Sequence, residues 1–260
     1  MKITIIQQDI VWKEPQANIQ KANKAINRNP GADIYILPEM FTTGFVTEPK
    51  NCAEPCDSES LHWMIRKSAE VNAAIGGSIA VEEEGKYYNR FYFVTPDGNV
   101  VQYDKSHLFI HGGEGLRYTA GNKRIITEFR GVKILLEICY DLRFPMWSRN
   151  QIDQAGNAAY DLIIYVADWP LSRKLAWDTL IRARAIENQC FVVACNRVGS
   201  DNWGTYFGGS ALVHPYGHLI AEAPQDKECE ITGEIDMEGL NRYRLKFPTL
   251  KDIIWRKDFC

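Results

Sequence analysis

The sequence predicts an α/β fold, and two observations carry the prediction. Short runs rich in Ile, Val, Tyr and Phe, bounded by Gly, Pro, Asn or Asp, alternate with longer amphipathic stretches. The halves of the chain also echo each other. Asp33-Ile-Tyr-Ile-Leu, a helical stretch, an apolar strand and Val94-Thr-Pro-Asp-Gly-Asn-Val-Val are followed by Asp161-Leu-Ile-Ile-Tyr, a helical stretch, a strand and Val213-His-Pro-Tyr-Gly-His-Leu-Ile. The offset is 128 residues at the first element and 119 at the second. An x-Pro-x-Gly turn alone is common hairpin punctuation, so the order of elements gives the echo its weight. An internal pseudo-two-fold repeat implies two sheets, each with helices on one face, stacked as a four-layer α-β-β-α sandwich.

Taken in order, strands are expected at 3–6, 33–37, 75–81, 91–95, 132–138, 162–167, 191–195 and 210–213. A helix over 15–28 opens with Pro15 at a first helical position and sets Ile19, Ala22 and Ile26 on one face. A second over 58–72 has Asp57 and Ser58 as N-cap candidates and Leu61, Ile65 and Ala69 at spacing four. A third over 173–189 follows Ser172 in the same manner. No Pro-, Gly- or Ser-rich linker divides the chain, so 1–260 reads as one domain. The tail from about 240 to 260, with Tyr243, Phe247, Trp255 and Phe259, is too aromatic for a free end and is expected to pack on the domain or on a partner subunit.

Composition narrows the function. With 30 Lys plus Arg against 33 Asp plus Glu there is no basic footprint for a phosphate backbone, so nucleic acid is a poor partner. The longest apolar runs are about six residues, against the roughly 20 needed to span a bilayer, so no membrane association is expected. The start MKITIIQQDIVW is broken by polar residues and does not read as a signal peptide. Seven scattered cysteines, an odd number, point to free thiols in a reducing, cytoplasmic setting. Cys52 and Cys56, and Cys190 and Cys195, form close pairs, but no second pair completes a zinc site, so no metal is expected.

Three chemically capable residues end predicted strands, where α/β folds collect ligands. Glu39 follows DIYILP, Lys105 follows NVVQYD, and Cys139 follows VKILLEI. Each alone has a plain alternative: a buried thiol is often inert, and a strand-end Glu or Lys is often a loop charge. Together they are the parts for acyl transfer. Cys139 would attack a carbonyl or nitrile carbon, Glu39 would take the thiol proton, and Lys105 would donate to the oxyanion. Glu39 raises the thiol pKa and Lys105 lowers it, so proton transfer concerted with attack suits this trio better than a standing thiolate.

The segments ILPEMFTTGF at 36–45, YDKSHLF at 103–109 and EICYDLRFPMWSR at 137–149 together resemble the nitrilase superfamily of carbon–nitrogen hydrolases. RARAIENQCFVVACNRVG at 182–199 and FGGSALVHPYGHLIAEA at 207–223 continue the resemblance over nearly the whole chain. It implies the α-β-β-α sandwich, a homodimer or larger homo-oligomer, and no metal or organic cofactor. The family's Glu, Lys and Cys fall on Glu39, Lys105 and Cys139, and its second glutamate on Glu114 in GGEGLRYTAG. The backbone N–H of Tyr140 would join Lys105 at the oxyanion.

Within the superfamily, CYDLRFP followed by SRN, VADWP at 166–170, CNRVGSD at 195–201 and the ending YRLKFPTLKD look like the omega-amidase branch. That branch hydrolyses the terminal amide of α-keto acid amides such as 2-oxoglutaramate and 2-oxosuccinamate. Arg143, four residues after Cys139, suits a bidentate substrate carboxylate, with pairing to Asp141 or Glu187 as its alternative. Phe45, Tyr118 and Trp169 lie in or beside the motifs, either as pocket walls or as core. A nitrilase or other aliphatic amidase, an N-acyl transferase, and a Cys–His hydrolase using a histidine such as His107 are the competing readings.

Overall fold

A computed structural model describes residues 1–253. The first half runs β1 (Lys2–Gln7), α1 (Pro15–Arg28), β2 (Ile34–Ile36), β3 (Glu54–Pro55), α2 (Glu59–Val71), β4 (Ala74–Glu83), β5 (Lys86–Val94) and β6 (Val100–Asp104). The second runs β7 (Ile126–Phe129), β8 (Val132–Ile138), α3 (Pro145–Ser148), β9 (Leu162–Ala167), α4 (Lys174–Asn188), β10 (Phe191–Asn196), β11 (Val198–Asp201), β12 (Gly204–Phe207), β13 (Ala211–Val213) and β14 (Leu219–Glu222). β15 (Cys229–Glu234) then returns to the first sheet, and α5 (Met237–Lys246) follows.

The helices begin largely where the sequence predicts. Pro15 opens α1, which buries Ile19, Ala22, Ala25 and Ile26. Ser58 caps α2, its hydroxyl accepting the Leu61 N–H at 3.2 Å, while Asp57 turns to His62 instead. Ser172 does not cap α4. A 3-10 turn at Leu171–Arg173 runs directly into that helix, whose N-cap is Arg173 with no side-chain cap. The turn continues the helical backbone, which leaves Ser172 inside it rather than at its boundary.

The two-fold echo is realised strand for strand. The first sheet runs β15-β1-β2-β4-β5-β6, with β3 beside β4, and the second runs β7-β8-β9-β10-β13-β14. Along each six-strand order the second, third and fourth strands pair parallel and the remaining neighbours antiparallel, while β3 adds a further parallel pair with β4. Local details repeat as well. The Asp33 N–H donates to Lys2 O at 2.8 Å, and the Asp161 N–H donates to Lys133 O at 2.8 Å. α2 and α4 each end in a left-handed residue, Asn72 (φ 50°) and Gln189 (φ 45°). Gly98 (φ 83°) and Gly217 (φ 85°) close the matching Pro-x-Gly hairpins, each N–H returning to the residue three before it. Asp33 is gripped by Arg130, and Asp161 by Arg244 at 2.6 Å.

Strand alternation sorts the apolar residues into layers. Ile3, Ile5, Ile34 and Phe91 face Ile134, Leu136, Ile164 and Val193 between the sheets. The outer face of the first sheet packs under α1 and α2, with Tyr35 and Ile75 against Ile26 and Met64. The outer face of the second packs under α4, with Ile163 and Val192 against Trp177 and Ile181. These are the four layers of an α-β-β-α sandwich.

At the C-terminal end, Asp236 caps α5, and Leu240 and Tyr243 pack against the inter-sheet core. Arg244 bonds Asp161 and the carbonyls of Tyr160 and Gln189. Phe247 is exposed, and Trp255 and Phe259 lie outside the described residues. Among the described residues no helix is long and apolar enough to cross a membrane, and the six cysteines are free thiols.

Candidate active site

The carboxyl ends of the parallel strands of both sheets converge on one cavity of about 150 Å³. Glu39 arrives three residues after β2. Its loop lies tightly on β4: a Cβ at Gly77 would come 3.0 Å from Leu37 Cβ and 3.1 Å from Phe41, so a larger residue there would push on the loop. Lys105 immediately follows β6, and its N–H donates to Asn89 O in β5 at 2.9 Å. Cys139 follows β8 as the first residue of a 3-10 turn, Cys139–Arg143, with φ 45°. A non-glycine residue held there stores about 1–3 kcal/mol of backbone strain, which the surroundings must hold in place.

Asp141 supplies that hold. Its carboxylate accepts from the Ile138 N–H at 3.0 Å, the Tyr103 hydroxyl at 2.8 Å, and the His107 backbone N–H at 3.0 Å. His107 Nδ1 lies 2.7 Å from the same group, and the imidazole stacks on Phe144 at 3.8 Å. The turn bearing Cys139 is therefore tied to the loop bearing Lys105. His107 is committed to that tie and does not line the cavity.

Three wholly buried ionic side chains form the centre. Lys105 Nζ donates to Glu39 Oε1 at 2.8 Å and to Glu114 Oε2 at 2.9 Å. Asn89 Nδ2 donates to both carboxylates, at 2.7 and 3.1 Å. The remaining oxygen of Glu39 accepts the Asp168 N–H at 2.8 Å, and Glu114 Oε2 accepts the Phe109 N–H at 2.6 Å. Burial opposes the Lys105 charge, but Glu114 and Glu39 hold its ammonium well above the usual range. Burial, then the Glu39 charge, pushes the Cys139 thiol well up, against the pull of Lys105. Such a thiol is neutral at rest and needs its proton taken as it attacks.

A family model described as carbon-nitrogen hydrolase matches residues 2–245. The chain belongs to this family. It is 45% identical to the omega-amidase YafV of Escherichia coli (strain K12), over 97% of this chain and 96% of that one. It is 35% identical to a 2-oxoglutaramate amidase of Bacillus subtilis (strain 168), over 98% of each. Its fold superposes with a TM-score of 0.95 on XC1258 of Xanthomonas campestris, a CN-hydrolase superfamily protein solved with an arsenic adduct in its active site. That protein is 39% identical, with 98% of each chain covered.

In this carbon-nitrogen hydrolase, Glu39, Lys105, Cys139, Tyr140, Arg143, Phe45 and Trp169 all line the cavity. Tyr140 is the second residue of the 3-10 turn, where a backbone N–H has no partner within the turn. Arg143 lies 4.8 Å from the Trp169 ring centroid and pairs with neither carboxylate considered for it. Asp141 is taken by His107 and Tyr103, and Glu187 by Arg184 and Arg149. Two of the residues singled out in the sequence lie off the cavity wall. Tyr118 is not a pocket wall: it packs with Met40, Phe45, Val46 and Ala80, and its hydroxyl donates to Val46 O at 2.7 Å. Glu114 reaches Lys105 but does not line the cavity, because its loop folds it behind the lysine.

Asn89, Arg173 and Asp168 are site residues that sequence reasoning missed. Asn89 is a buried polar residue in the interior of β5, beside Arg90, and its local sequence carries no signature of its partners. Arg173 stands at the cavity rim, 4.9 Å from the Phe109 ring. Asp168 directly follows the apolar β9, and the strand-end rule that selected Glu39, Lys105 and Cys139 would have found it.

Proposed function

We propose that the protein is an omega-amidase, hydrolysing the terminal carboxamide of small α-keto acid amides of the 2-oxoglutaramate or 2-oxosuccinamate type. The observation that supports this reading best is a thiol, Cys139, at one side of a small cavity beside the buried Glu39–Lys105 pair, with the Arg143 guanidinium paired with no carboxylate among the described residues. A substrate carrying an amide at one end and a carboxylate at the other matches both ends of that arrangement.

In this reading Cys139 Sγ bonds the amide carbon as its proton passes to Glu39. Lys105 and the Tyr140 N–H stabilise the oxygen, which becomes an oxyanion. Glu39 returns the proton to nitrogen, the C–N bond breaks, and ammonia leaves a thioester on Cys139. Water then attacks the thioester carbon and gives a proton to Glu39. The C–S bond breaks, the proton goes back to sulfur, and the carboxylic acid departs. Glu114 and Asn89 act by fixing Lys105 and Glu39. A reducing cytoplasm suits a working thiol, and the exposed Leu175, Ile186 and Leu245 offer apolar area for a homo-oligomer contact whose mass gel filtration would read.

The test is ammonia release from 2-oxoglutaramate, glutamine and a simple aliphatic nitrile. Release from the keto amide ahead of the other two is expected. No release from it, with turnover of either other compound, would discard the substrate assignment.

A further inference from the structure

The carboxyl of Asp168 is wholly buried on the cavity wall, and among the described residues neither of its oxygens has a hydrogen-bond partner. Its nearest cation, Arg197 Nη1, is 4.0 Å from Oδ2. Arg197 is already held by Asp201 at 2.9 Å, by Asp9 at 3.2 Å, and by the carbonyls of Val198 and Ile10. Asp168 is thus dispensable to the arginine, and burying an acid without a partner is costly to the fold. Groups kept at such a cost tend to serve a ligand.

The position of Asp168 says what that ligand group is. Its backbone N–H bonds Glu39 at 2.8 Å, and Asp168 lines the same cavity as Glu39, Lys105 and Cys139. A primary carboxamide brings one acceptor and two N–H donors to this cavity. Lys105 and the Tyr140 N–H answer the acceptor. Glu39 has little left for the donors: one oxygen takes Lys105 and Asn89, the other the Asp168 N–H. Arg143 and Arg173 only donate. Asp168 is the carboxyl on the cavity wall whose two oxygens accept nothing else among the described residues.

We infer that Asp168 accepts a hydrogen bond from the NH2 group of the substrate carboxamide and so selects amides over esters and nitriles, which carry no such donor. The inference rests on the amidase reading and adds to it a residue that reads the scissile group itself. Burial, only partly offset by Arg197, pushes the Asp168 carboxyl well above the usual range. A protonated carboxyl still presents its carbonyl oxygen, so the contact does not depend on ionisation.

The experiment compares Asp168→Ala and Asp168→Asn on 2-oxoglutaramate and on the matching ω-methyl ester, with melting temperatures alongside. For Asp168→Ala the amide-to-ester ratio of kcat/KM should fall roughly 30–100-fold, the loss of one strong hydrogen bond. Its melting temperature should hold or rise, since an unpartnered acid has been removed and the backbone bond to Glu39 remains. Asp168→Asn, which keeps an acceptor oxygen, should recover most of the ratio. Amide and ester rates falling together, or an unchanged ratio in Asp168→Ala, would overturn the inference. Wild type that ignores 2-oxoglutaramate but cleaves succinamate would refute the keto-amide substrate alone; the ratio would then be read on succinamate and monomethyl succinate.

Discussion

Replacing Lys105 by Met keeps the length of the side chain and removes its charge. In the wild type one ammonium holds two carboxylates, Glu39 at 2.8 Å and Glu114 at 2.9 Å, with all three side chains sealed from water. Without it the two acids face each other through the Asn89 amide alone. Removing one member of a buried ionic set costs about 3–5 kcal/mol, which for a chain of this size is roughly 6–20 °C in melting temperature. The loss has a defined pH dependence. Burial already pushes the Glu114 carboxyl up against the pull of Lys105, and losing that pull pushes it further. A carboxyl whose folded pKa exceeds its unfolded value keeps a proton that the unfolded chain has released, so stability falls as pH rises between the two values. The variant should therefore melt closest to wild type near about pH 5 and furthest below it near about pH 8. Lys105 itself, held well above the usual ammonium range, stays charged throughout that window in the wild type. Turnover should fall roughly 10²–10³-fold with the oxyanion donor. Circular dichroism melts at the two pH values and an ammonia assay read both effects. A variant melting like wild type at each pH, or turning over within about tenfold of it, would refute the account of the ionic centre.

Other outcomes follow from the same geometry. Cys139→Ala should abolish ammonia release and Cys139→Ser leave a trace, both with near wild-type melts; full activity in either removes Cys139 as nucleophile. Arg143→Leu should raise KM for carboxylate-bearing amides roughly 10–100-fold and for neutral amides far less; an equal rise would mean that Arg143 only packs. Burial and the Asp141 charge push Glu137 up to about 8, while Ser148 donates to it at 2.8 Å. It holds its proton above the usual carboxylate range, so the wild type should lose up to about 1.4 kcal/mol per pH unit from this group as pH rises toward 8. Glu137→Gln should therefore raise the melting temperature more at about pH 8 than at about pH 5; an equal gain at both would contradict the shift.

Local signals made much of the fold legible. β9 is a continuous apolar run buried throughout, and β8 is a mostly apolar, buried run interrupted by Lys133 and Glu137, so their ends could be read from composition. β15 alternates Thr, Gly and Glu with half-exposed positions, and β7 is a short, half-exposed edge, so neither has an apolar period to detect. In the site, Glu39, Lys105 and Cys139 were visible because each follows a strand and falls within a motif that resembles the superfamily. Asn89 could not be assigned a role, since its partners lie 50 and 25 residues away and only the sheet pairing brings them within reach. Tyr118 stayed open between wall and core because an aromatic in a motif is as much at home beneath a pocket as on its wall, and the structure places it in the core.

The paired strand orders bear on how the chemistry is divided along the chain. Glu39, Asn89, Lys105 and Glu114 come from the half that ends before β7, and Cys139, Arg143 and Asp168 from the half that begins there. A duplicated scaffold has thus not produced two workshops. In the proposed reaction one half contributes the proton carrier Glu39, the amine and the groups that fix them, and the other contributes the sulfur, Arg143 and Asp168. Cut in the loop between β6 and β7, each fragment would keep most strands of its own sheet and none of the reaction, and catalysis would return only when the two were mixed and reassembled.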